Sequence, residues 1–212
     1  MRTLLKALAI LVTLWLYAVV RSAGAATLED SVQSVSVRLF TTKHTECSGT
    51  VISKDYILTA GHCLRGSFTL AEIGGPLHIC THLGRPIQSN VQDLALIPIS
   101  RCGDIRPAEV SDSPLGRGDT FTIIGLSDIV PWSLARGFVM SAEPVQIFYA
   151  SKSSFMDIPV ACQGCDEGDS GSGVFNTKGE LAGVFVATSQ NNVRGDMVPL
   201  ADVQAFLREQ HI

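Results

Sequence analysis

The chain has 212 residues, of which 46% are hydrophobic and 17% are charged, and its formal net charge is −4 at pH 7. This length suits one large domain or two small ones with a core of ordinary size. The acidic balance argues against a partner bound through its phosphate backbone, so we expect no nucleic acid partner.

Residues 1–25 have the layout of a secretory signal peptide. Arg2 and Lys6 precede a largely apolar run of 14 residues (7–20), and Ala-Gly-Ala follows at 23–25. Cleavage at the end of this segment would make the mature protein secreted or periplasmic. The alternative is an uncleaved anchor, the one route by which we expect a membrane contact. A helix of 14 residues rises only about 21 Å, however, against a hydrocarbon core of about 30 Å.

Most of the remaining chain is predicted to be β-strand. Short runs rich in Val, Ile, Phe and Thr are bounded by turn residues, which is typical of strands. These runs cover 35–40, 50–60, 93–99, 120–126, 137–142, 144–150, 172–176 and 181–188.

The C-terminus has a helical pattern instead. Leu200, Val203, Phe206 and Leu207 recur at helical spacing, and Asp202 lies near the start of the run. This spacing predicts a short amphipathic helix.

The best internal linker is the segment 103–119, which has two prolines, three glycines and many charges but no long strand-like run. Strands lie on both sides in similar numbers. We therefore expect two β domains, at 27–105 and 106–212, closed or sandwiched so that their edges are protected.

Six cysteines lie in the exported part, where oxidation is permitted. They are Cys47, Cys63, Cys80, Cys102, Cys162 and Cys165. Three disulfides are the expected state, although fifteen pairings are possible in principle. Zinc is the alternative, but only the pair at 162 and 165 resembles half of a zinc site or a redox motif, so we expect no metal.

Three separated residues could together activate a hydroxyl nucleophile. His62 ends the strand-like run ILTAGHC, and Asp93 opens the apolar run DLALIPI. Each residue alone has an ordinary structural explanation, the histidine as an exposed side chain and the acid as a strand cap. With Ser170, however, they supply a base, an acid that orients the base and a nucleophile.

The stretch CDEGDSGSGVF contains this serine and a possible oxyanion site. The backbone N–H groups of Gly168 and Ser170 could converge on one oxygen, and Gly168 has no side chain to block a substrate carbonyl. Ser172 is the weaker nucleophile, because Ser170 occupies the place two residues before it where a glycine would be needed. Neither serine lies in G-x-S-x-G, and a calcium loop from Asp166 would need glutamate where Thr177 stands.

The three motifs TAGHC, DLAL and GDSGSG together resemble those of the trypsin/chymotrypsin-like serine proteases, in particular the bacterial-type trypsin-like peptidases. The resemblance covers roughly residue 34 to the C-terminal helix. It implies an all-β fold of two antiparallel six-stranded β-barrels with the active site in the cleft between them, and a short C-terminal α-helix. His62 and Asp93 would come from the first barrel and Ser170 from the second.

The same resemblance implies the role of each residue and one disulfide. His62 would be the general base and acid, Asp93 would hold its tautomer, and Ser170 would attack, with Gly168 and Ser170 as the oxyanion hole. Cys47 would pair with Cys63. For the other four cysteines we expect pairing between 80 and 102, bracing the aspartate segment, and between 162 and 165, stiffening the loop before the serine.

The chain departs from the family pattern in two places. No Ile-Val-Gly-Gly N-terminus is present to form a salt bridge with Asp169, so this acid needs another partner. The specificity pocket is also unusual: Gln163 or Gly164 is the candidate floor, neither is an acid, and no cysteine follows Ser170. Residues 186–188, Val186, Ala187 and Thr188, stand where the substrate-pairing strand would run.

The leading hypothesis is a secreted, monomeric serine endopeptidase that cleaves protein or peptide substrates through an acyl-enzyme, without a cofactor. The alternatives are a catalytically silent binding protein on the same scaffold and a signal-anchored protease. A silent protein normally has one of the three catalytic residues replaced, and none is replaced here.

Overall fold

The computed structural model of the chain describes residues 26–42, 46–64, 67–75, 78–81, 83–126, 131–148, 154–188 and 193–212. The predicted signal peptide lies outside these ranges. Within them, neither helix is long and apolar enough to cross a membrane.

The described ranges contain fourteen strands, two α-helices and one short 3₁₀ turn. The helices are α1 (Leu28–Val35) and α2 (Leu200–Glu209), and the 3₁₀ turn is Gly61–Leu64. The first seven strands are β1 (Ser36–Thr41), β2 (Glu46–Ser53), β3 (Tyr56–Thr59), β4 (Phe68–Ile73), β5 (Ile79–Cys80), β6 (Ile87–Gln88) and β7 (Ala95–Pro98). The other seven are β8 (Thr120–Leu126), β9 (Pro131–Val139), β10 (Val145–Phe148), β11 (Ser154–Gln163), β12 (Gly173–Phe175), β13 (Leu181–Thr188) and β14 (Arg194–Pro199).

The strands form two antiparallel sheets, one from each half of the chain. The first has the order β5-β4-β1-β2-β3-β7-β6, and its edge strands are not paired to each other within the described residues. The second has the order β10-β11-β14-β13-β12-β8-β9, and an additional pairing of β11 with β9 closes it. Six strands therefore form the closed barrel, with β10 added on the outer side of β11, whereas the first sheet is a half-barrel of seven strands. The predicted all-β fold with two barrel-like sheets and a C-terminal helix is confirmed.

The two sheets share a hydrophobic core. Val37 and Leu39 of β1 and Ile57 of β3 belong to the same buried cluster as Val186 of β13 and Val198 of β14. A second cluster fills the closed barrel and includes Phe185 and Met197. Apolar burial contributes about 25 cal/mol per Å². Because one buried cluster contains residues of both sheets, it holds the sheets together and fixes the residues at their junction.

Helix α1 was not predicted from the sequence. Thr27 and Asp30 form a reciprocal capping box: the Thr27 side chain accepts the Asp30 N–H, and the Asp30 carboxylate accepts the Thr27 N–H. The hydroxyl of Thr27 also donates to this carboxylate, and these hydrogen bonds lower the pKa of Asp30. Val32 and Val35 are buried on the inner face of the helix. The T-L-E-D stretch was a usable local signal for a helix start.

Helix α2 follows its prediction closely. The four apolar residues at helical spacing are all buried, and they pack on the side of β13 and β14. Asp202 lies in the first turn, as expected from the favourable interaction of an acid with a helix N-terminus.

Several strand predictions need correction. The run 50–60 is not one strand: β2 ends at Ser53 and β3 begins at Tyr56, with a turn between them. Strands β11 and β14 were missed, since their sequences contain Pro159, Gly195 and Asp196 and lack continuous strand-like composition. The linker 103–119 contains no extended strand, only a bridge between Val110 and Leu181.

Candidate active site

His62 and Asp93 are joined at two points. The ring Nδ1 of His62 is 2.6 Å from Oδ2 of Asp93, and the backbone N–H of His62 donates to Oδ1 of the same carboxylate at 2.8 Å. The carboxylate is nearly buried, with 7% of its side chain exposed, while 33% of the imidazole is exposed. A buried acid thus fixes both the position of the histidine backbone and the orientation of its ring, and Nε2 is left as the nitrogen that can exchange a proton.

Two elements of the first sheet position this pair. His62 lies in the 3₁₀ turn directly after β3, and Asp93 lies just before β7, which pairs with β3. A Cβ at Gly61 would lie only 3.0 Å from Oδ1 of Asp93. The close approach of the acid to the histidine turn therefore favours glycine at this position, since a side chain there would push the Asp93 carboxylate by a few tenths of an ångström.

Ser170 comes from the second sheet, in the loop between β11 and β12, and Ser48 holds it against the first. The backbone N–H of Ser48 donates to the carbonyl of Ser170 at 2.8 Å, and the Ser48 hydroxyl donates to the carbonyl of Gly168 at 2.9 Å. Sequence reasoning missed Ser48, although it directly follows a cysteine expected in a disulfide. It links the serine loop to β2, which carries Cys47.

The backbone N–H groups of the serine loop divide into two sets. Three of them donate within the protein. The N–H of Asp169 donates to the Asp166 carbonyl, that of Gly171 to the Phe185 carbonyl, and that of Ser172 to the Asp169 carbonyl. Those of Gly168 and Ser170 donate no hydrogen bond to any described residue. Gly168 has φ +95°, a conformation that favours glycine. The loop therefore has two unbonded N–H donors, one on each side of Asp169, and these are the kind of group that stabilises an oxyanion.

The hydroxyl of Ser170 does not bond to His62 in this structure. It donates instead to the carbonyl of Val186 at 3.3 Å, and no hydrogen bond joins the two side chains among the described residues. The Cys63 sulfur lies between the two residues: a ring nitrogen of His62 is within 4.8 Å of it, and it is 3.6 Å from the Ser170 carbonyl oxygen. Catalytic hydrogen bonds are often long or misaligned without substrate, so this geometry is compatible with a catalytic role.

Three disulfides are present: Cys47–Cys63, Cys80–Cys102 and Cys162–Cys165. These are the three pairs named above. The first joins β2 to the histidine turn beside Ser170. His62 and the sulfurs of Cys47 and Cys63 lie near enough to hold a metal ion in principle. Because both sulfurs are in a disulfide, they are not thiolate ligands, and this group is not a metal site.

The second serine of the motif and the acid before Ser170 lie deep in the protein. Ser172 and Asp169 are both fully buried. A carboxylate oxygen of Asp169 accepts the backbone N–H of Asp166 at 2.9 Å, which gives this acid a partner in the absence of an inserted N-terminus. A Cβ at Gly125 would lie 2.2 Å from Asp169 and 2.6 Å from Ser172. Glycine at position 125 thus leaves room for the buried Asp169 and Ser172 side chains, a constraint that the sequence did not reveal.

The predicted specificity residues lie at the two sides of the serine loop. Gln163 and Gly164 are exposed at the end of β11, and Gly164 has φ +85°. Val186 is 2% exposed and accepts the Ser170 hydroxyl through its carbonyl, while Ala187 and Thr188 are partly exposed. Their role in substrate selection stays a prediction.

The larger cavities of the described residues lie away from this group. One of ≈ 460 Å³ is lined by residues including Ser111 and Lys178, and one of ≈ 540 Å³ by residues including Gln33 and His78. Neither is lined by His62, Asp93 or Ser170. The chemistry of the residues, and not the size of the cavity, selects the candidate site.

Comparison with known proteins agrees with this fold. The family described as the trypsin-like peptidase domain matches residues 47–184, which include His62, Asp93 and Ser170. The chain therefore belongs to the trypsin-like peptidase family. None of the curated protein sequences matches it.

Solved structures show the same fold at low sequence identity. The Rv3671c protease of M. tuberculosis in its active form matches with a TM-score of 0.74 and 16% identity, over 86% of this chain and 83% of that chain. The inactive form of the Rv3671c protease matches with a TM-score of 0.70 and 14% identity, over 86% and 91%. The serine endoprotease from Yersinia pestis matches with a TM-score of 0.68 and 18% identity, over 88% and 67%.

Proposed function

We propose that the protein is an exported serine endopeptidase in which His62, Asp93 and Ser170 form a catalytic triad. The observation that carries the proposal is the two-point bond between Asp93 and His62, at 2.6 Å and 2.8 Å. Holding both the backbone and the ring orients Nε2 for proton transfer.

The proposed reaction begins with rotation of the Ser170 hydroxyl from the Val186 carbonyl towards His62. The hydroxyl oxygen attacks the substrate carbonyl carbon while Nε2 of His62 takes its proton. The oxyanion of the tetrahedral intermediate accepts the unbonded N–H groups of Gly168 and Ser170. The intermediate then collapses, His62 gives its proton to the leaving amine, and an acyl-enzyme remains.

Water completes the cycle by the same route. His62 removes a proton from the water as it attacks the ester of Ser170, and the second intermediate is held by the same two N–H groups. Its collapse returns the proton to Ser170 and releases the acid product. Asp93 stays ionised throughout and stabilises the imidazolium of His62.

We also propose the boundaries of the exported protein. A cleaved signal peptide at 1–25 would leave domains at 27–105 and 106–212, the first carrying His62 and Asp93 and the second Ser170. The three disulfides are consistent with an oxidising compartment. N-terminal sequencing of the exported protein tests this: a start near residue 26 supports cleavage, and Met1 intact in a membrane fraction supports the anchored alternative.

Labelling with a fluorophosphonate tests the nucleophile. The purified mature protein should be labelled, and the Ser170→Ala variant should not. Ser172→Ala is the matched control, because this serine is fully buried and its variant should still be labelled. Equal labelling of the wild type and Ser170→Ala would remove Ser170 as the nucleophile, and absence of labelling in all three proteins would favour a silent binding protein.

A further inference from the structure

The turn that contains Asp93 is held together by its own hydrogen bonds. The Ser89 hydroxyl accepts the backbone N–H groups of Val91 and Gln92, both at 3.2 Å. The N–H of Ser89 donates to the Leu94 carbonyl at 2.9 Å, and the N–H of Leu94 donates to the Gln92 carbonyl at 2.8 Å. Asp93 therefore lies between two residues of a closed turn, and a displacement of Gln92 would displace the Asp93 carboxylate as well.

One side chain of this turn reaches the C-terminal helix. Nε2 of Gln92 donates to Oδ2 of Asp202 at 2.7 Å, although the two residues are 110 positions apart in the chain. Oε1 of Gln92 is buried and has no hydrogen-bond partner among the described residues. The opposite orientation of the amide would place this oxygen against the carboxylate. The Asp202 carboxylate therefore fixes the direction of the Gln92 amide, even though a buried oxygen is left without a partner.

The start of helix α2 explains why Asp202 is available for this bond. Asp202 is the third residue of its helix, and Asp30 has the same position in α1, where its carboxylate accepts the backbone N–H of the N-cap Thr27. The N-cap of α2 is Pro199, which has no backbone N–H. The usual partner of an acid at this position is missing, and the Asp202 carboxylate bonds to the turn before β7 instead.

The bond crosses the junction between the two halves of the fold. Gln92 directly precedes Asp93 in the first half, whereas α2 packs on β13 and β14 of the closed barrel. Burial raises the pKa of Asp202, while the hydrogen bond from Gln92 and the helix N-terminus favour its charged form. Ser48 makes the converse connection, from β2 to the loop that carries Ser170. Together the two connections fix the acid of the first sheet relative to the serine of the second.

We propose that Asp202 is a positioning residue, which holds Asp93 in place by binding Gln92. Because Asp93 accepts the backbone N–H of His62 and contacts its ring, this hold extends to the proposed base. The C-terminal helix then contributes to the reactivity of Ser170 as well as to the core. This inference rests on the proposed function, since the orientation of His62 matters for reactivity only if it is the base.

Hydrogen exchange of the His62 backbone amide tests the hold on Asp93 without any turnover, because this N–H donates to Oδ1 of Asp93 at 2.8 Å. In Asp202→Ala the amide should exchange about tenfold faster, the change expected for loss of a hydrogen bond to a charged group. Asp202→Asn should stay within about threefold of the parent, because its amide oxygen can accept the same N–H. The amide of Leu39 in the buried strand β1 reports global unfolding, and the effect at His62 must exceed any change there.

Gln204→Ala is the matched control. Gln204 lies on the same helix and donates to the Ser111 carbonyl at 2.9 Å, so its loss removes a comparable bond that does not involve the Asp93 turn. It should leave exchange of the His62 amide unchanged. Gln92→Ala removes the other partner of Asp202, and the double variant should exchange no faster than either single variant.

Fluorophosphonate labelling measures the consequence for Ser170. The second-order labelling rate should fall about tenfold in Asp202→Ala, less than the factor of about 10² that a 1 Å misplacement costs, and it should recover in Asp202→Asn. Gln204→Ala should keep the parental rate.

The inference is overturned if the His62 amide exchanges equally in Asp202→Ala and Gln204→Ala, or if the two single effects add in the double variant. Faster exchange with an unchanged labelling rate would also overturn it, because Asp202 would then have no effect on the nucleophile. Absence of labelling in the parent would overturn the proposed catalysis instead, and the exchange comparison would still decide whether Asp202 holds Asp93.

Discussion

Replacing Gly171 by alanine tests whether the serine loop must lie directly against the histidine-bearing sheet. A Cβ at this position would be 2.2 Å from the Ser48 carbonyl oxygen and 2.3 Å from the Thr59 hydroxyl, and 3.0 Å from the Ala60 nitrogen. Two of these atoms are backbone atoms, so no flexible side chain can move aside for them. The loop must shift by about 1 Å to reach ordinary contact distance, and a misplacement of that size near the chemistry costs about 10² in rate.

The same substitution also forces alanine into a left-handed conformation, since Gly171 has φ +90°. This conformational term is about 1–2 kcal/mol, and overpacking adds about 1–3 kcal/mol. Together they amount to about 2–5 kcal/mol of unfolding free energy, which for a protein of this size lowers Tm by at least about 4 °C.

Gly118→Ala is the control that separates the two terms. Gly118 has φ +88°, almost the same backbone conformation, but a Cβ there would meet no atom within 4 Å. It should therefore lose only the conformational term and keep full fluorophosphonate reactivity. Calorimetric melting and the second-order labelling rate would be measured for both variants. Equal losses of stability and rate in the two proteins would refute the argument that close contact with Ser48 positions the nucleophile.

Three further predictions concern the acid, a disulfide and the pH dependence. Asp93→Asn should lower peptidase activity by about 10⁴, as in the serine-protease template, because the amide cannot hold the same His62 tautomer; a kcat/KM within tenfold of the wild type would contradict this. Replacing Cys80 and Cys102 together by serine should cost about 3 kcal/mol of unfolding free energy in urea titrations, because the pair closes a loop with a sequence separation of 22. Burial raises the pKa of Asp196, so the native state holds the carboxyl proton of Asp196 to a higher pH than the unfolded chain does. The stability that this protonated carboxyl contributes is therefore lost as pH rises through its folded pKa. Asp196→Asn should therefore gain stability relative to the wild type as pH rises above about 4, and melting curves showing a constant difference would refute the effect.

The candidate catalytic residues could be proposed from the sequence because the local sequence around each one is distinctive. His62, Asp93 and Ser170 lie in short motifs whose residue types are set by the chemistry of one side chain and its immediate backbone. Helix α2 was predicted for a similar reason, since its buried residues repeat every three or four positions. Helix α1 was missed although its capping box was readable and its apolar residues recur at helical spacing, because it has only eight residues and its last one, Val35, was assigned to the first strand.

The sequence by itself determined the family, the candidate catalytic residues, the β-rich composition and the C-terminal helix, because each of these depends on residues close together in the chain. Only the tertiary structure decided that Ser48 holds the serine loop, that the Ser170 hydroxyl points to Val186, and that Asp196 lies opposite Ala187. Those contacts join residues from different strands, and they follow from strand register and from the packing of one sheet on the other. A one-residue change in register would reverse which face each side chain occupies, and no local pattern in this chain specifies that register.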